Sequence, residues 1–178
     1  MLTLSSDSSM LLVVDFQARL MSAIDGGEGA VANTRRLIDA AALVGVQHLF
    51  TEQNARGLGP TIPELAPDEP SLVIHKMTFD AVRTPGFLER LPAEAAVVVA
   101  GCEAHVCVLQ TVLGLLEAGR RVFVVRDALG SRRAESKETA LRRMERHGAE
   151  VVTTEMVVFE WLGSADHPRF RDALALVK

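Results

Sequence analysis

Residues 97–111, which read VVVAGCEAHVCVLQT, lead from a strand into a helix across two cysteines. The small and β-branched residues at 97–100 are typical of a strand buried on both faces. Gly101 ends that run and a helical pattern begins near His105, so Cys107 falls near a helix N-terminus at the carboxyl end of a strand, where open α/β sheets bind their ligands. Because N–H groups there are unpaired and favour negative charge, we expect the Cys107 thiolate to be stabilised.

The rest of the chain alternates between strand and helix patterns. Strands are predicted at 10–15, 46–51, 72–75, 97–100, 121–125 and 151–153. Helices are predicted at 31–44, 105–117 and 136–147, from residue 154 onward, and within the tail at 166–177, with a Gly/Pro-rich loop at 54–70. Continuous apolar strands separated by helices indicate a parallel sheet covered on both faces. The sequence therefore predicts one α/β domain over residues 1–178, a doubly wound, Rossmann-like fold whose six-stranded parallel sheet has the order 3-2-1-4-5-6.

Composition excludes several classes of partner. The 178 residues carry a formal net charge of −4, and only 4% are aromatic with no tyrosine, which argues against nucleic-acid binding. No apolar run reaches membrane-spanning length, and the first residues lack a signal-peptide pattern. With only two cysteines, a disulfide framework is not expected. We therefore expect a cytoplasmic protein with no nucleic-acid or membrane partner.

Three reactive side chains follow three of the predicted strands. Asp15 ends the first strand, Lys76 follows the third, and Cys107 follows the fourth. Because the carboxyl ends of parallel strands meet at one edge, we expect the three to converge. Together they suit nucleophilic catalysis, with Lys76 stabilising the thiolate and Asp15 transferring protons. Taken singly, each residue also fits a plain role, as a helix cap, a surface lysine or a core cysteine.

Four further residues are predicted to line a substrate pocket beside these strand ends: Phe16, Gln53, Phe79 and His105. A position at the start of a helix explains His105 equally well. No Gly-rich turn follows the first strand and no phosphate-binding P-loop occurs, so no cofactor is expected.

Several motifs, in chain order, resemble those of the isochorismatase-like cysteine hydrolase superfamily, and most closely its small isochorismatase-domain proteins. They are LVVDFQ at 12–17, TEQ at 51–53, KMTF at 76–79, GCEAHVCV at 101–108, DALGSR at 127–132, TTE at 153–155 and DHPRF at 166–170. The resemblance covers nearly the whole chain. It implies a catalytic triad of Asp15, Lys76 and Cys107, and a cis peptide between Cys102 and Glu103 that turns the Glu103 N–H toward the site. With the Cys107 N–H, that group would form an oxyanion hole.

The resemblance also narrows the reaction. Nicotinamidases of the superfamily bind a metal with an Asp-x-His triplet and a further histidine, whereas residues 51–53 here read TEQ. His75 precedes Lys76 and should point away from it along a pleated strand, so no metal is expected. Isochorismatases hydrolyse a vinyl ether, for which a cysteine nucleophile is unnecessary. Retention of Cys107 favours a small-molecule amide or related acyl substrate, cleaved through a thioester.

Two other interpretations stay open at this point. One is an isochorismate-like vinyl ether hydrolase in which Asp15 is the acid and Cys107 is a bystander. The other is a non-catalytic binding or assembly module of the same fold. Relatives are usually oligomeric, so the resemblance implies a homo-oligomer, for which the apolar residues Val157, Phe159, Trp161 and Leu162 are interface candidates.

Overall fold

A computed structural model describes residues 2–178 and contains a single six-stranded parallel sheet. Its strands are β1 (Ser9–Val14), β2 (Gln47–Gln53), β3 (Val73–Lys76), β4 (Ala96–Cys102), β5 (Val122–Gly130) and β6 (Glu150–Val152). They lie in the order β3-β2-β1-β4-β5-β6, which confirms the predicted fold class. The chain reverses its winding direction between β1 and β4, and this is the place where such sheets open a crevice at their carboxyl edge.

In the described range 2–178, seven α-helices connect or flank these strands: α1 (Ala18–Met21), α2 (Gly27–Val44), α3 (Ala55–Leu58), α4 (Leu109–Glu117), α5 (Ala134–Arg146), α6 (Thr154–Leu162) and α7 (Phe170–Val177). Short 3-10 turns occupy Ser6–Ser8, Pro70–Leu72, Ala81–Arg83 and Leu88–Arg90, and a π-helical turn spans Ala104–Val108. No helix in the described part of the chain combines the length and apolarity needed to cross a membrane.

The sheet separates two hydrophobic clusters because successive strand residues point to opposite faces. Leu11 and Val13 pack with α2, α6 and α7, whereas Leu12 and Val14 pack with α4 and α5. Every residue of β1 and β4 is buried, since helices cover both faces of these central strands.

The structure corrects several predicted boundaries. The helix predicted at 105–117 begins with the π-helical turn, and the loop predicted at 54–70 contains α3. The fifth strand extends beyond the predicted 121–125 to Gly130. Its pairing with β4 slips between Val99, opposite Val124, and Gly101, opposite Leu129. Apolar periodicity did not reveal this extension because the irregular stretch includes the polar pair Arg126 and Asp127.

The C-terminal residues predicted as an oligomer interface belong to the core instead. Val157, Trp161 and Leu162 are at most 5% exposed, because α6 packs against α2 and is followed by α7. Phe159 is partly buried and its ring lies 6.2 Å from the ring of Phe170 in α7. The amphipathic tail thus covers its own protomer.

Gly101 lies where β4 passes closest to β1 and to the π-helical turn. A Cβ atom added there would lie 2.6 Å from both the Cβ and the carbonyl oxygen of Val14, and 3.0 Å from Val108 Cγ2. Backbone cannot retreat from such a contact without shifting the strand. The close approach explains why the apolar strand run is followed by glycine.

We predict that Gly101→Ala lowers the free energy of unfolding by about 1–3 kcal/mol, because the extra methyl group overpacks the core. Chemical denaturation would measure this change. Gly29→Ala is the matched control, since it lies in α2 with no atom within 4 Å of the added Cβ, and it should stabilise by about 0.5–1 kcal/mol. Equal stability of Gly101→Ala and the parent protein would contradict the packing account.

Candidate active site

Asp15 lies directly after β1 in a left-handed backbone conformation, with φ of 51°. This region is uncommon for residues other than glycine but tolerated by aspartate. The side chain is completely buried, and each carboxylate oxygen has a partner: Oδ1 accepts from Thr51 Oγ1 at 2.6 Å and Oδ2 accepts from Lys76 Nζ at 2.7 Å. Asp15 is therefore held below the surface with both of its oxygens accepting hydrogen bonds.

Lys76 ends the edge strand β3, and its side chain is also fully buried. Besides Asp15, its ammonium group donates to the carbonyl oxygens of Thr78 at 3.3 Å and Phe79 at 3.2 Å. These three acceptors satisfy the three N–H bonds of an ammonium. The preceding His75 side chain is 69% exposed, with Nδ1 3.4 Å from Glu52 Oε2, as the strand pleat predicts.

Cys107 lies in the π-helical turn that follows β4 and is 7% exposed. The turn is closed by hydrogen bonds from the Val106 and Val108 N–H groups to the Glu103 carbonyl oxygen, at 3.0 and 3.2 Å. The Cys102–Glu103 peptide bond is cis. Within residues 2–178, the Glu103 N–H donates no hydrogen bond, which leaves this group free at the start of the turn that carries Cys107.

The electrostatics of Cys107 differ from the sequence expectation. Burial, and to a lesser degree the Asp15 carboxylate, raise the pKa of the Cys107 thiol to about 12, and the Lys76 ammonium opposes both effects. The prediction of a stabilised thiolate is therefore wrong for the resting site, because desolvation of the charged sulfur outweighs the cation. Both charged groups act on the sulfur, so the structure brings Asp15, Lys76 and Cys107 together, with the thiol protonated.

Two polar residues that sequence reasoning missed hold this arrangement. Thr51 is 1% exposed and donates to Asp15, as given above. The buried Gln17 amide donates to the carbonyl oxygens of Gln53 at 3.0 Å and Gly59 at 2.7 Å, and accepts from the Gln53 N–H at 2.8 Å. Gln17 lies in the LVVDFQ motif at 12–17, and Thr51 lies in the TEQ motif at 51–53. A polar side chain in or just after a buried strand was the sequence signal that could have identified them.

The structure places two of the four predicted pocket residues, Gln53 and Phe79, at the loop after Lys76 and the other two elsewhere. Gln53 ties the loop after Lys76 to β2, since its side-chain amide donates to the Met77 carbonyl oxygen at 3.1 Å. Phe79 is 48% exposed at the same loop. Phe16 packs in the core cluster on the α2 face, whereas Cys107 belongs to the cluster on the α4 face. Phe16 is thus not presented to an open pocket.

His105 turns toward β5 and α5. Its Nδ1 lies 3.1 Å from Ser131 Oγ, and it borders a cavity of about 270 Å³ with Arg132, Arg133 and Ser136. The buried Glu103 carboxylate accepts from both the backbone N–H and Nε of Arg132, at 3.1 and 2.9 Å. The structure does not bring His105 together with the triad.

A cavity of about 810 Å³ is lined by residues of α1, of α2, of the segment between them and of the segment at 62–64, and Asp15, Lys76 and Cys107 do not line it. Across the described residues, no group of three or more His, Cys, Asp or Glu side chains is arranged to hold a metal ion.

The chain is similar in sequence to proteins that contain an isochorismatase domain. The isochorismatase domain model matches residues 9–156. The chain is 34% identical to isochorismatase domain-containing protein 2 of Xenopus laevis, over 98% of the chain and 85% of that protein.

Solved structures agree with this similarity. A structure named MAR1 ribonuclease from Caenorhabditis elegans superimposes with a TM-score of 0.91 at 36% identity, covering 98% of this chain and 92% of that one. YcaC from Pseudomonas aeruginosa, described with hexane-2,5-diol and covalent acrylamide, gives 0.89 at 27% identity, covering 98% and 91%. Escherichia coli YcaC, described as an octameric hydrolase of unknown specificity, gives 0.87 at 27% identity, covering 99% and 88%.

We predict that alkylation of Cys107 by iodoacetamide accelerates about tenfold per pH unit from about pH 7 to about pH 10, because only the thiolate reacts and its pKa lies above that range. Mass spectrometry of the labelled peptide would follow the reaction. Cys102 provides the internal control, since it is completely buried and should stay unlabelled. A rate that levels off below about pH 9 would contradict the raised pKa.

Proposed function

This chain belongs to the isochorismatase family, and on that premise we propose that it is a metal-independent cysteine hydrolase of a small-molecule amide or related acyl substrate. The observation that carries the proposal is the buried Asp15–Lys76 pair acting on the Cys107 thiol. A buried carboxylate beside a neutral thiol can act as a general base. It accepts the thiol proton when attack on the substrate makes that proton transfer favourable.

The first step couples proton transfer to attack. Asp15 takes the proton from Cys107 Sγ as the sulfur forms a bond to the substrate carbonyl carbon, and the carbonyl π electrons move onto oxygen. Because the thiol pKa is about 12, a free thiolate does not accumulate beforehand. The Lys76 ammonium offsets the negative charge that the sulfur gains during transfer.

The backbone N–H groups of Glu103 and Cys107 are proposed to hold the resulting oxyanion. The N–H of Glu103 has no competing acceptor within residues 2–178. Donors fixed in advance where charge develops lower the barrier without reorganising. Collapse of the tetrahedral species breaks the C–N bond, and Asp15 returns its proton to the departing amine, which leaves a thioester on Cys107.

Hydrolysis of the thioester completes the cycle. Asp15, again a carboxylate, takes a proton from a water molecule that attacks the thioester carbonyl. The C–S bond then breaks, the acid product departs, and the proton held by Asp15 returns to the sulfur. One water is consumed for each amide cleaved, and no metal or organic cofactor takes part.

Two features of the relatives and of the site support a small acyl substrate. Pseudomonas aeruginosa YcaC is described with covalent acrylamide, a small molecule that contains an amide group. In the present chain the thiol is only 7% exposed, which favours a slim planar carbonyl over a bulky polymer.

RNA is a second candidate substrate because of the ribonuclease name carried by the Caenorhabditis elegans structure. Arg132, Arg133 and Arg143 border two adjoining cavities next to His105 and supply local positive charge. Against RNA stand the net charge of −4 and the burial of the triad. We therefore favour the small acyl substrate and make single-stranded RNA a parallel arm of the test.

A homo-oligomer is part of the proposal. Escherichia coli YcaC is described as octameric. In this chain the exposed apolar side chains include Met77, Phe79 and Met156, at 71%, 48% and 46% exposure, and the first two lie on the loop after Lys76. Contact between copies would remove this apolar surface from water.

We predict that a screen of small amides and related acyl compounds finds a substrate whose turnover falls at least about 1000-fold in Cys107→Ala, because the nucleophile is lost. Trapping of an acyl adduct on Cys107, seen by intact mass, would accompany turnover. Cys102→Ala is the matched control and should retain activity, since Cys102 lies in the core.

Undiminished turnover by Cys107→Ala would overturn the cysteine mechanism. If that variant cleaved a vinyl ether as well as the parent protein, the reaction would be that of an isochorismatase with Asp15 as the acid. Cleavage of RNA that depends on Arg133 but not on Cys107 would replace the acyl substrate.

We predict that light scattering coupled to size-exclusion chromatography gives a mass at least twice that of one chain. Phe79→Ser and Met77→Ser together should shift the protein toward smaller species, because they remove apolar contact surface. Met156→Ser, on α6, is a control for loss of exposed apolar area elsewhere. A monomer at micromolar concentration would contradict the proposed assembly.

A further inference from the structure

The loop after Lys76 is attached to the helix that follows the nucleophile. Thr111 lies in α4, is completely buried, and uses its hydroxyl in two hydrogen bonds. Thr111 Oγ1 accepts from the Ala81 N–H at 3.0 Å and donates to the Phe79 carbonyl oxygen at 3.4 Å. A buried hydroxyl that joins two segments far apart in sequence fixes their separation.

The Phe79 carbonyl oxygen also accepts from Lys76 Nζ, at 3.2 Å. One oxygen with two lone pairs therefore serves both the ammonium and the helix. Cys107 and Thr111 are four residues apart, so they lie on the same side of the helical segment, about one turn from each other. The helical segment that carries Cys107 therefore also carries Thr111, and Thr111 holds the Phe79 carbonyl oxygen to which Lys76 donates.

Asp80 strengthens the same attachment. It is 8% exposed, and its carboxylate accepts from the Val82 N–H at 2.9 Å. A Cβ added to Gly114 in α4 would lie 2.8 Å from both Asp80 carboxylate oxygens, so the loop rests directly on the helix backbone. Thr111 and Gly114 are three residues apart on one face of α4. The loop therefore contacts α4 at two successive places.

We propose that Thr111 is a positioning residue, whose hydroxyl fixes the Lys76 ammonium relative to the Cys107 thiol by holding the Phe79 carbonyl oxygen. The inference rests on the proposed function but adds a residue that does not touch the reacting atoms. If the hydroxyl is removed, the Phe79 carbonyl loses one partner and the ammonium loses a fixed acceptor. The Lys76 ammonium then stabilises a negative charge on the Cys107 sulfur less effectively against the opposing effects of the Asp15 carboxylate and of burial.

The test compares Thr111→Val, which is nearly isosteric, with Thr111→Ser, which keeps the hydroxyl. Alkylation of Cys107 by iodoacetamide at about pH 9 is the readout and needs no knowledge of the substrate. Thr111→Val should react roughly three- to tenfold more slowly. If the pKa of the Cys107 thiol rises by about one unit, the thiolate fraction falls about tenfold, and the higher nucleophilicity of that thiolate restores part of the rate. Thr111→Ser should stay within about twofold of the parent rate, on the same scale.

Thr34→Val is the matched control for loss of a buried threonine hydroxyl. Thr34 lies in α2, is completely buried, and its Oγ1 has no partner within residues 2–178. Its alkylation rate should equal that of the parent protein. If Thr111→Val does not fold, Thr111→Ala removes the same hydroxyl with less crowding and should show the same slowing.

Thermal unfolding of each variant separates stability from reactivity. Alkylation by Thr111→Val, or by Thr111→Ala in its place, at the rate of Thr34→Val would overturn the proposal. So would equal slowing of Thr111→Ser, because that variant keeps the hydroxyl and the effect would then not depend on it. These outcomes are independent of the substrate screen, in which full turnover by Cys107→Ala would sink the proposed function instead.

Discussion

The structure around the sheet edge depends on one buried ion pair, between Asp15 and Lys76. Removing two charges from water costs several kcal/mol per ion, and the attraction between them repays this only when hydrogen bonds satisfy the remaining atoms. Here the Thr51 hydroxyl donates to the second oxygen of the Asp15 carboxylate, and two loop carbonyl oxygens accept the remaining hydrogen bonds of the Lys76 ammonium. Thr111 in turn donates to the Phe79 carbonyl oxygen, and Gln17 joins the end of β2 to Gly59.

The fold supplies the pair through strand order. β1, which ends before Asp15, is separated from β3, which ends with Lys76, by β2 alone, and Thr51 lies in that intervening strand. On the other side β4 leads into the turn that carries Cys107. A carboxylate is therefore flanked by a cation and a thiol because three parallel strands end at one edge. The hydrophobic clusters on both faces fix those strands rigidly enough for the distances to be maintained.

Sequence reasoning predicted the topology, because strand order depends on apolar strand runs. It also predicted that Asp15, Lys76 and Cys107 meet at one edge of the sheet, and their catalytic roles stay a prediction. It did not predict the extension of β5 or the positions of Thr51, Gln17 and Thr111. Their roles depend on contacts between residues 30 or more positions apart, which periodicity does not reveal. His105 shows the same limit, since only tertiary packing turns it toward Ser131. The thiol pKa was misjudged because local reasoning counted the nearby cation and helix end but not desolvation.

The protonated state of the Cys107 thiol affects how fast peroxides oxidise it. Peroxides attack the thiolate and convert it first to sulfenic acid, so a cysteine kept in its neutral form reacts with them slowly. Cys107 combines that neutral state with 7% exposure, and Cys102 has no exposure at all. Both cysteine thiols of the chain are therefore shielded from adventitious oxidants.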